Sequence, residues 1–116
     1  MKEQVEKWLE SVEAVSGVVM YGVCLPDRSI ATRVFDKNFS TKNVEIVWKA
    51  TIDTFKLIHL HKMAANSLNW VFKELIISAF YSEGLIFGAI ARKSLSKEEL
   101  EVVKRVLESL PHSLKP

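Results

Sequence analysis

The sequence has a single cysteine and no long apolar run. Cys24 is the only cysteine among 116 residues, so an internal disulfide is excluded and a thiolate zinc site lacks ligands. No apolar run approaches the ~20 residues that span a bilayer, and the N-terminus lacks the continuous apolar segment of a signal peptide. We therefore expect a cytoplasmic protein that folds without cross-links and does not insert into a membrane.

The excess of positive over negative charge is also small. The chain has sixteen basic and fourteen acidic residues, which gives a formal net charge of +2. A surface that binds nucleic acid needs a larger and clustered excess of positive charge. We therefore predict no nucleic-acid partner. Apolar residues are abundant, at 48% of the chain, which is typical of a globular protein. The length fits one domain over residues 1–116, able to bury about two thirds of its unfolded surface.

The first third of the chain has the pattern of a helix followed by a hairpin. Apolar residues recur at helical spacing from Val5 to Val15, and Gly17 is placed to end that helix. Residues 18–25, VVMYGVCL, and residues 30–35, IATRVF, have the composition of strands. Between them, PDRS supplies turn chemistry, so the pair is predicted to form a hairpin.

A long second helix is predicted to begin at Ser40, the N-cap, with Phe39 packing on Val44 as a hydrophobic staple. Its main apolar stripe comprises Val44, Val47, Trp48, Thr51, Ile52, Phe55 and Ile58. A second stripe lies on nearly the opposite side and comprises Ile46, Ala50, Leu57 and Leu60. A helix that is apolar on two sides needs two partners. No glycine or proline interrupts the pattern before Asn66-Ser67.

The second half of the chain is predicted to form three strands and a final helix. The strands cover 68–73, 75–81 and 85–92, separated by turns at Lys73-Glu74 and at residues 82–84. The nearly continuous apolar runs LIISAF and LIFGAIA are typical of strands covered on both faces. Ser96 and Glu99 have the spacing of a capping box, and Pro111 is expected to stop the helix that begins there.

The segment HLHKM, residues 59 to 63, raises the question of a metal site. The segment is predicted to lie within the second helix, near its end, where His59 and His61 point about 200° apart and cannot chelate one ion. His112 lies far away with no matching spacing. Cys24 lies in an apolar strand with no neighbouring base, which favours a buried structural thiol. We predict no catalytic residue, no metal and no cofactor, and hence no enzyme.

The predicted order, α-β-β-α-β-β-β-α, resembles the roadblock family of dynein light chains and bacterial or archaeal GTPase regulators. The resemblance covers nearly the whole chain and is carried by four features: VSGVVMYGVCLPDRSIA, the long helix from Ser40, the triple strand with SEGLIFGAIA, and the capped last helix. The PDRS turn and the Lys73-Glu74 turn depart from the family in lacking glycine. The resemblance implies a three-layer α/β/α sandwich around a five-stranded, mostly antiparallel sheet, related to longin and profilin-like folds.

The resemblance also implies a homodimer, in which the strand from Leu68 pairs with its copy and the second stripe lies near the twofold axis. The expected interface is Ile46, Ala50, Leu57, Leu60, Leu68, Trp70 and Phe72. Alternatively, a loop or neighbouring strands of the same chain cover that stripe. The long helix also carries a basic stripe, in which Lys42, Lys49 and Lys56 recur every seven residues. This stripe is either a solvated face of the helix or a surface that binds an acidic partner.

Two functions are consistent with this pattern. The first, implied by the resemblance, is a non-enzymatic dimeric adaptor or regulator that binds a partner protein, such as a Ras-like small GTPase. The second is a small-molecule-sensing module of related profilin-like or longin-like architecture, whose internal pocket would be lined by Trp48, Trp70 and Phe72. The same aromatic residues are more often found in cores and interfaces.

Overall fold

The computed structural model describes residues 1–12, 15–36 and 41–114. The elements are α1 (Lys2–Ser11), β1 (Val18–Cys24), β2 (Ile30–Val34), α2 (Thr41–Leu60), β3 (Ser67–Phe72), β4 (Leu75–Ser82), β5 (Leu85–Arg92) and α3 (Lys97–Ser113). Their order is the predicted one. The five strands form a single sheet in the order β2-β1-β5-β4-β3, and every neighbouring pair is antiparallel.

Helices cover the sheet on both faces, which explains the nearly continuous apolar runs in the central strands. Every residue of β1 is buried, as is all of β5 except Arg92. On one face, α1 and α3 pack through Trp8 and Leu107 against residues that include Tyr21. On the other face, α2 packs through Trp48 against a second cluster. The predicted three-layer α/β/α sandwich is therefore confirmed.

The first helix is shorter than predicted. It ends at Ser11, and Val12 is already extended, with φ −68° and ψ 133°. Arg33 of β2 donates hydrogen bonds to the carbonyls of Leu9 and Val12 at 2.7 and 3.0 Å, so a residue far along the chain satisfies the end of the helix. Residues 13 and 14 lie outside the described part of the chain, and Gly17 lies in the turn before β1.

The second helix ends at Leu60, six residues before the predicted polar break. Lys62 adopts φ 55°. Its N–H donates a hydrogen bond to the carbonyl of His59, and the N–H of Met63 donates one to the carbonyl of Ile58. This is a Schellman motif with lysine in the left-handed position that glycine usually occupies. The predicted N-cap and staple at Ser40 and Phe39 lie outside the described residues.

The last helix begins with the predicted capping box. Ser96 Oγ accepts a hydrogen bond from the N–H of Glu99, and the Glu99 carboxylate accepts one from the N–H of Ser96. The prediction that Pro111 stops this helix is wrong, because α3 continues to Ser113. A proline so near the C-terminus removes one backbone hydrogen bond and leaves only a few residues beyond it, so the last turn persists.

Candidate protein-interaction surface

The inner face of α2 fills the core. Trp48, Thr51 and Phe55 are at most 1% exposed. The indole of Trp48 lies so close to Gly22 that a Cβ built on the glycine would come within 2.8 Å of the ring. A tryptophan packed this tightly is a structural side chain, and we therefore do not place a ligand pocket around Trp48.

The outer face of α2 is apolar yet exposed. Ile46 and Leu57 are each 57% exposed and Leu60 is 74% exposed, and Ala50 between them is exposed as well. We call these four residues the outer stripe. Met63, just beyond the helix, is 60% exposed. The second apolar side of α2 is therefore exposed, and no loop or strand among the described residues covers it.

Strand β3 forms one edge of the sheet, next to α2. Within the described residues it pairs only with β4, so one of its backbone edges is open. Leu68 and Trp70 are half-buried against the α2 core, and the indole N–H of Trp70 donates a hydrogen bond of 3.2 Å to Thr51 Oγ1. Phe72 at the end of the strand is 42% exposed. The edge strand is therefore fixed to α2 while its outer side stays accessible.

A groove of about 430 Å³ connects the two surfaces at the N-terminal half of α2. Its apolar lining includes Ile46 of the outer stripe and Phe72 of the edge strand. Polar residues at its rim include Asn43, Lys73 and Arg92. The outer stripe and β3 are thus parts of one continuous surface.

The predicted basic stripe flanks the outer stripe. Lys42, Lys49 and Lys56 are all exposed, and no ion pair involves them in the described part of the chain. Asp53 is exposed on the same side of the helix. The structure therefore places three free ammonium groups and one carboxylate beside exposed apolar side chains, a composition that suits protein recognition.

No protein-family model matches the chain, and no curated protein matches its sequence. Among solved structures, the chain is similar to the crystal structure of a Roadblock/LC7 domain from Streptomyces avermitilis, with a TM-score of 0.60 and 8% sequence identity. The superposition covers 98% of this chain and 93% of the other. The chain adopts the roadblock/LC7 fold.

Within this roadblock/LC7 fold, the residues that raised the question of chemistry are dispersed. The ring of His59 packs edge-on against Tyr81, with centroids 4.1 Å apart, while His61 is exposed in the turn after α2. Cys24 is buried, and burial raises the pKa of its thiol. Across residues 1–12, 15–36 and 41–114, no three potential metal ligands come together.

Sequence patterns missed part of this surface. Met63 lies beyond the helix, and Asn43, Lys73 and Arg92 at the groove belong to no periodic stripe, because separate elements bring them together.

Each helix in the described segments is too short or too polar to cross a bilayer.

Proposed function

We propose that this chain is a non-enzymatic adaptor or regulator that works as a homodimer and binds a partner protein, a Ras-like small GTPase being the leading candidate. The observation that carries this proposal is the outer stripe, four exposed apolar residues beside the open edge of β3. Exposed apolar surface next to the open edge of a strand is typical of an interaction site. A second copy can cover both, because two edge strands can pair while two apolar helix faces meet.

The basic stripe supports a separate contact with the partner protein. Lys56 lies to one flank of the outer stripe, whereas Lys42 is in line with Leu60 at the edge of the stripe, so the part of the basic surface near Lys56 stays outside an interface centred on that stripe. Exposed lysines attract an acidic partner surface and accelerate its association. Such an interaction weakens as salt rises. In this role the chain positions residues of its partner and supplies none of the reacting groups itself.

Affinity capture tests the choice of partner. Tagged wild-type chain and a Lys42→Glu/Lys56→Glu variant are incubated with lysate of the source organism at low salt, and bound proteins are identified by mass spectrometry. We expect a Ras-like GTPase with the wild type and at least tenfold less with the variant. A Lys97→Glu/Lys104→Glu variant, changed on α3 in the opposite layer, should retain it. Recovery of a small molecule in native mass spectrometry, without a protein partner, would contradict the adaptor and favour a sensing module.

A further inference from the structure

The groove at the N-terminal half of α2 has an apolar lining that one chain supplies by itself. Val47 of α2 and Leu75 of β4 are its deepest apolar residues, each only 8% exposed. Ile46 and Phe72 continue the apolar lining to the surface. The volume of about 430 Å³ lies in the range of pockets that bind small molecules. The groove therefore offers recessed apolar surface to a ligand without requiring a second copy.

A lysine at the rim of this groove carries a charge that no described residue neutralises. Lys73 is exposed and takes part in no ion pair among the described residues. Its ammonium lies 5.5 Å from the centroid of the Phe72 ring, within the range of a cation–π contact. The contact holds positive charge next to the apolar lining. A ligand that fills the groove would therefore meet an ammonium group at its rim.

The other charged groups that line the groove leave Lys73 as the available cation. Arg92 pairs with Asp36, so its charge is already matched. Glu74 adds one carboxylate to the rim. An anionic ligand is thus expected to bind through Lys73, and the Glu74 carboxylate is expected to weaken that binding by repulsion.

The flank of the groove on α2 adds positive charge. Lys42 and Lys49 lie about one helical turn before and after Ile46, on the same side of the helix. Both are exposed, and neither takes part in an ion pair within the described part of the chain. The surroundings of the groove therefore favour a ligand with negative charge over a neutral or cationic one.

The backbone at Lys73 departs from what its turn favours. The residue adopts φ 54° between β3 and β4, in the left-handed region that glycine adopts without steric cost. The turn joins Phe72 to Leu75, which pair with each other and both line the groove. Lysine is thus held at the rim in a position where glycine would fit better, and strained residues of this kind cluster at functional sites.

We propose that the groove binds a small amphipathic carboxylate, with its apolar part on Val47, Phe72 and Leu75 and its carboxylate beside the Lys73 ammonium. One unpaired ammonium at the rim matches a single negative charge, whereas a phosphate is better held by several cations or by the planar fork of an unpaired arginine. The apolar lining matches a hydrocarbon chain or ring. The proposal goes beyond the adaptor function and does not depend on the homodimer.

Three probes with the same eight-carbon chain test the chemistry of the site. Octanoate, octanol and octylamine differ only in their head groups, and each is titrated into isotope-labelled wild type and followed by two-dimensional NMR. We expect saturable shifts at Ile46, Phe72 and Lys73 with octanoate. Its dissociation constant should be lower than that of octanol by about threefold or more, as expected for one partly exposed ion pair. Octylamine should bind more weakly than octanol, because its charge has the same sign as that of Lys73.

Variants of Lys73 identify the cation. Lys73→Gln removes the charge and should bind octanol as wild type does, without a preference for octanoate. Lys73→Arg should keep the preference. Lys73→Gly should lose it and yet unfold at a urea concentration no lower than wild type, because glycine relieves the left-handed backbone. Lys62→Gln is the matched control, since Lys62 is also an exposed lysine, at φ 55°, and lies at the other end of α2.

The opposite change is expected at Glu74. Glu74→Gln removes the carboxylate beside Lys73 and should tighten the binding of octanoate while leaving that of octanol unchanged. An octanoate affinity that falls in this variant would contradict a carboxylate bound at this rim.

The outcomes separate an anion site from a groove that is merely apolar. If octanoate and octanol bind wild type equally, or if Lys73→Gln keeps the preference for octanoate, the carboxylate proposal is overturned. If none of the probes gives saturable shifts at the groove, the site itself is overturned, while the homodimer and the protein partner proposed above still stand. Octanol binding by Lys73→Gln shows that this variant is folded with an intact groove, so its lost preference is due to the missing charge.

Discussion

At the scale of single residues, Tyr21 is buried at a cost. Its side chain is inaccessible to solvent, in edge-on contact with the rings of Trp8 and Phe35. Within the described residues, its hydroxyl has no hydrogen-bond partner. A buried polar group without a partner costs about 1–3 kcal/mol. The same burial raises the pKa of Tyr21 to about 12.

Replacing Tyr21 with phenylalanine should therefore stabilise the protein. We expect Tyr21→Phe to raise the free energy of unfolding by about 1 kcal/mol at neutral pH, measured by urea denaturation. The raised pKa means that the folded state disfavours tyrosinate, so wild type loses stability as the pH rises from 10 to about 12. The variant should lose less over that range. Tyr81→Phe is the control, and a Tyr21→Phe variant less stable than wild type would show that the hydroxyl has a stabilising partner.

At the scale of elements, the sequence predicted the features that depend on residues close together in the chain. Ser96 and Glu99 satisfy each other's backbone groups across one turn, so three residues of separation were enough to locate the start of α3. The end of α1 depends on Arg33, a residue of another element, and no local pattern identifies it. The end of α2 was missed because Lys62 occupies a position where sequence analysis expects glycine.

Both turns between the later strands lie where the sequence predicted them, although a glycine marks only one of the two. The turn before β5 combines Glu83 and Gly84 at φ 49° and 85°, the signature of a tight hairpin, and its glycine made it recognisable. The turn before β4 has Lys73 at φ 54° without a glycine. There the pairing of Phe72 with Leu75 fixes the turn, so strand pairing imposes a conformation that the turn residues do not favour.

The cap of α3 gives a prediction at this scale. Ser96→Ala removes the acceptor for the Glu99 N–H and should lower the free energy of unfolding by about 1 kcal/mol. Urea denaturation should show a lower midpoint with an unchanged slope. Ser113→Ala, in the last turn of the same helix, should have little effect. An unchanged midpoint for Ser96→Ala would mean that the capping box contributes nothing measurable to stability.

At the scale of the whole molecule, the sheet is well covered in the middle and open at its β3 edge. Long apolar side chains on α2 and the open backbone edge of β3 beside it are together an aggregation hazard unless something covers them. The sequence predicted which residues of α2 face away from the sheet, because helical periodicity separates two faces. It contains no comparable signal for what covers the second face, since that depends on a surface outside the chain. The homodimer is therefore a prediction that needs an assembly measurement.

Leu57→Lys tests that assembly directly. We expect wild type to be a dimer by light scattering at micromolar concentration, because burying each leucine of the outer stripe contributes about 1.5–3 kcal/mol before entropic costs. A lysine at position 57 would place an ammonium group in an apolar contact without a partner, so the variant should be a monomer or an aggregate. Val102→Lys changes an apolar residue that is 42% exposed on α3 and should leave the dimer intact. A monodisperse wild-type monomer at high concentration would contradict the homodimer.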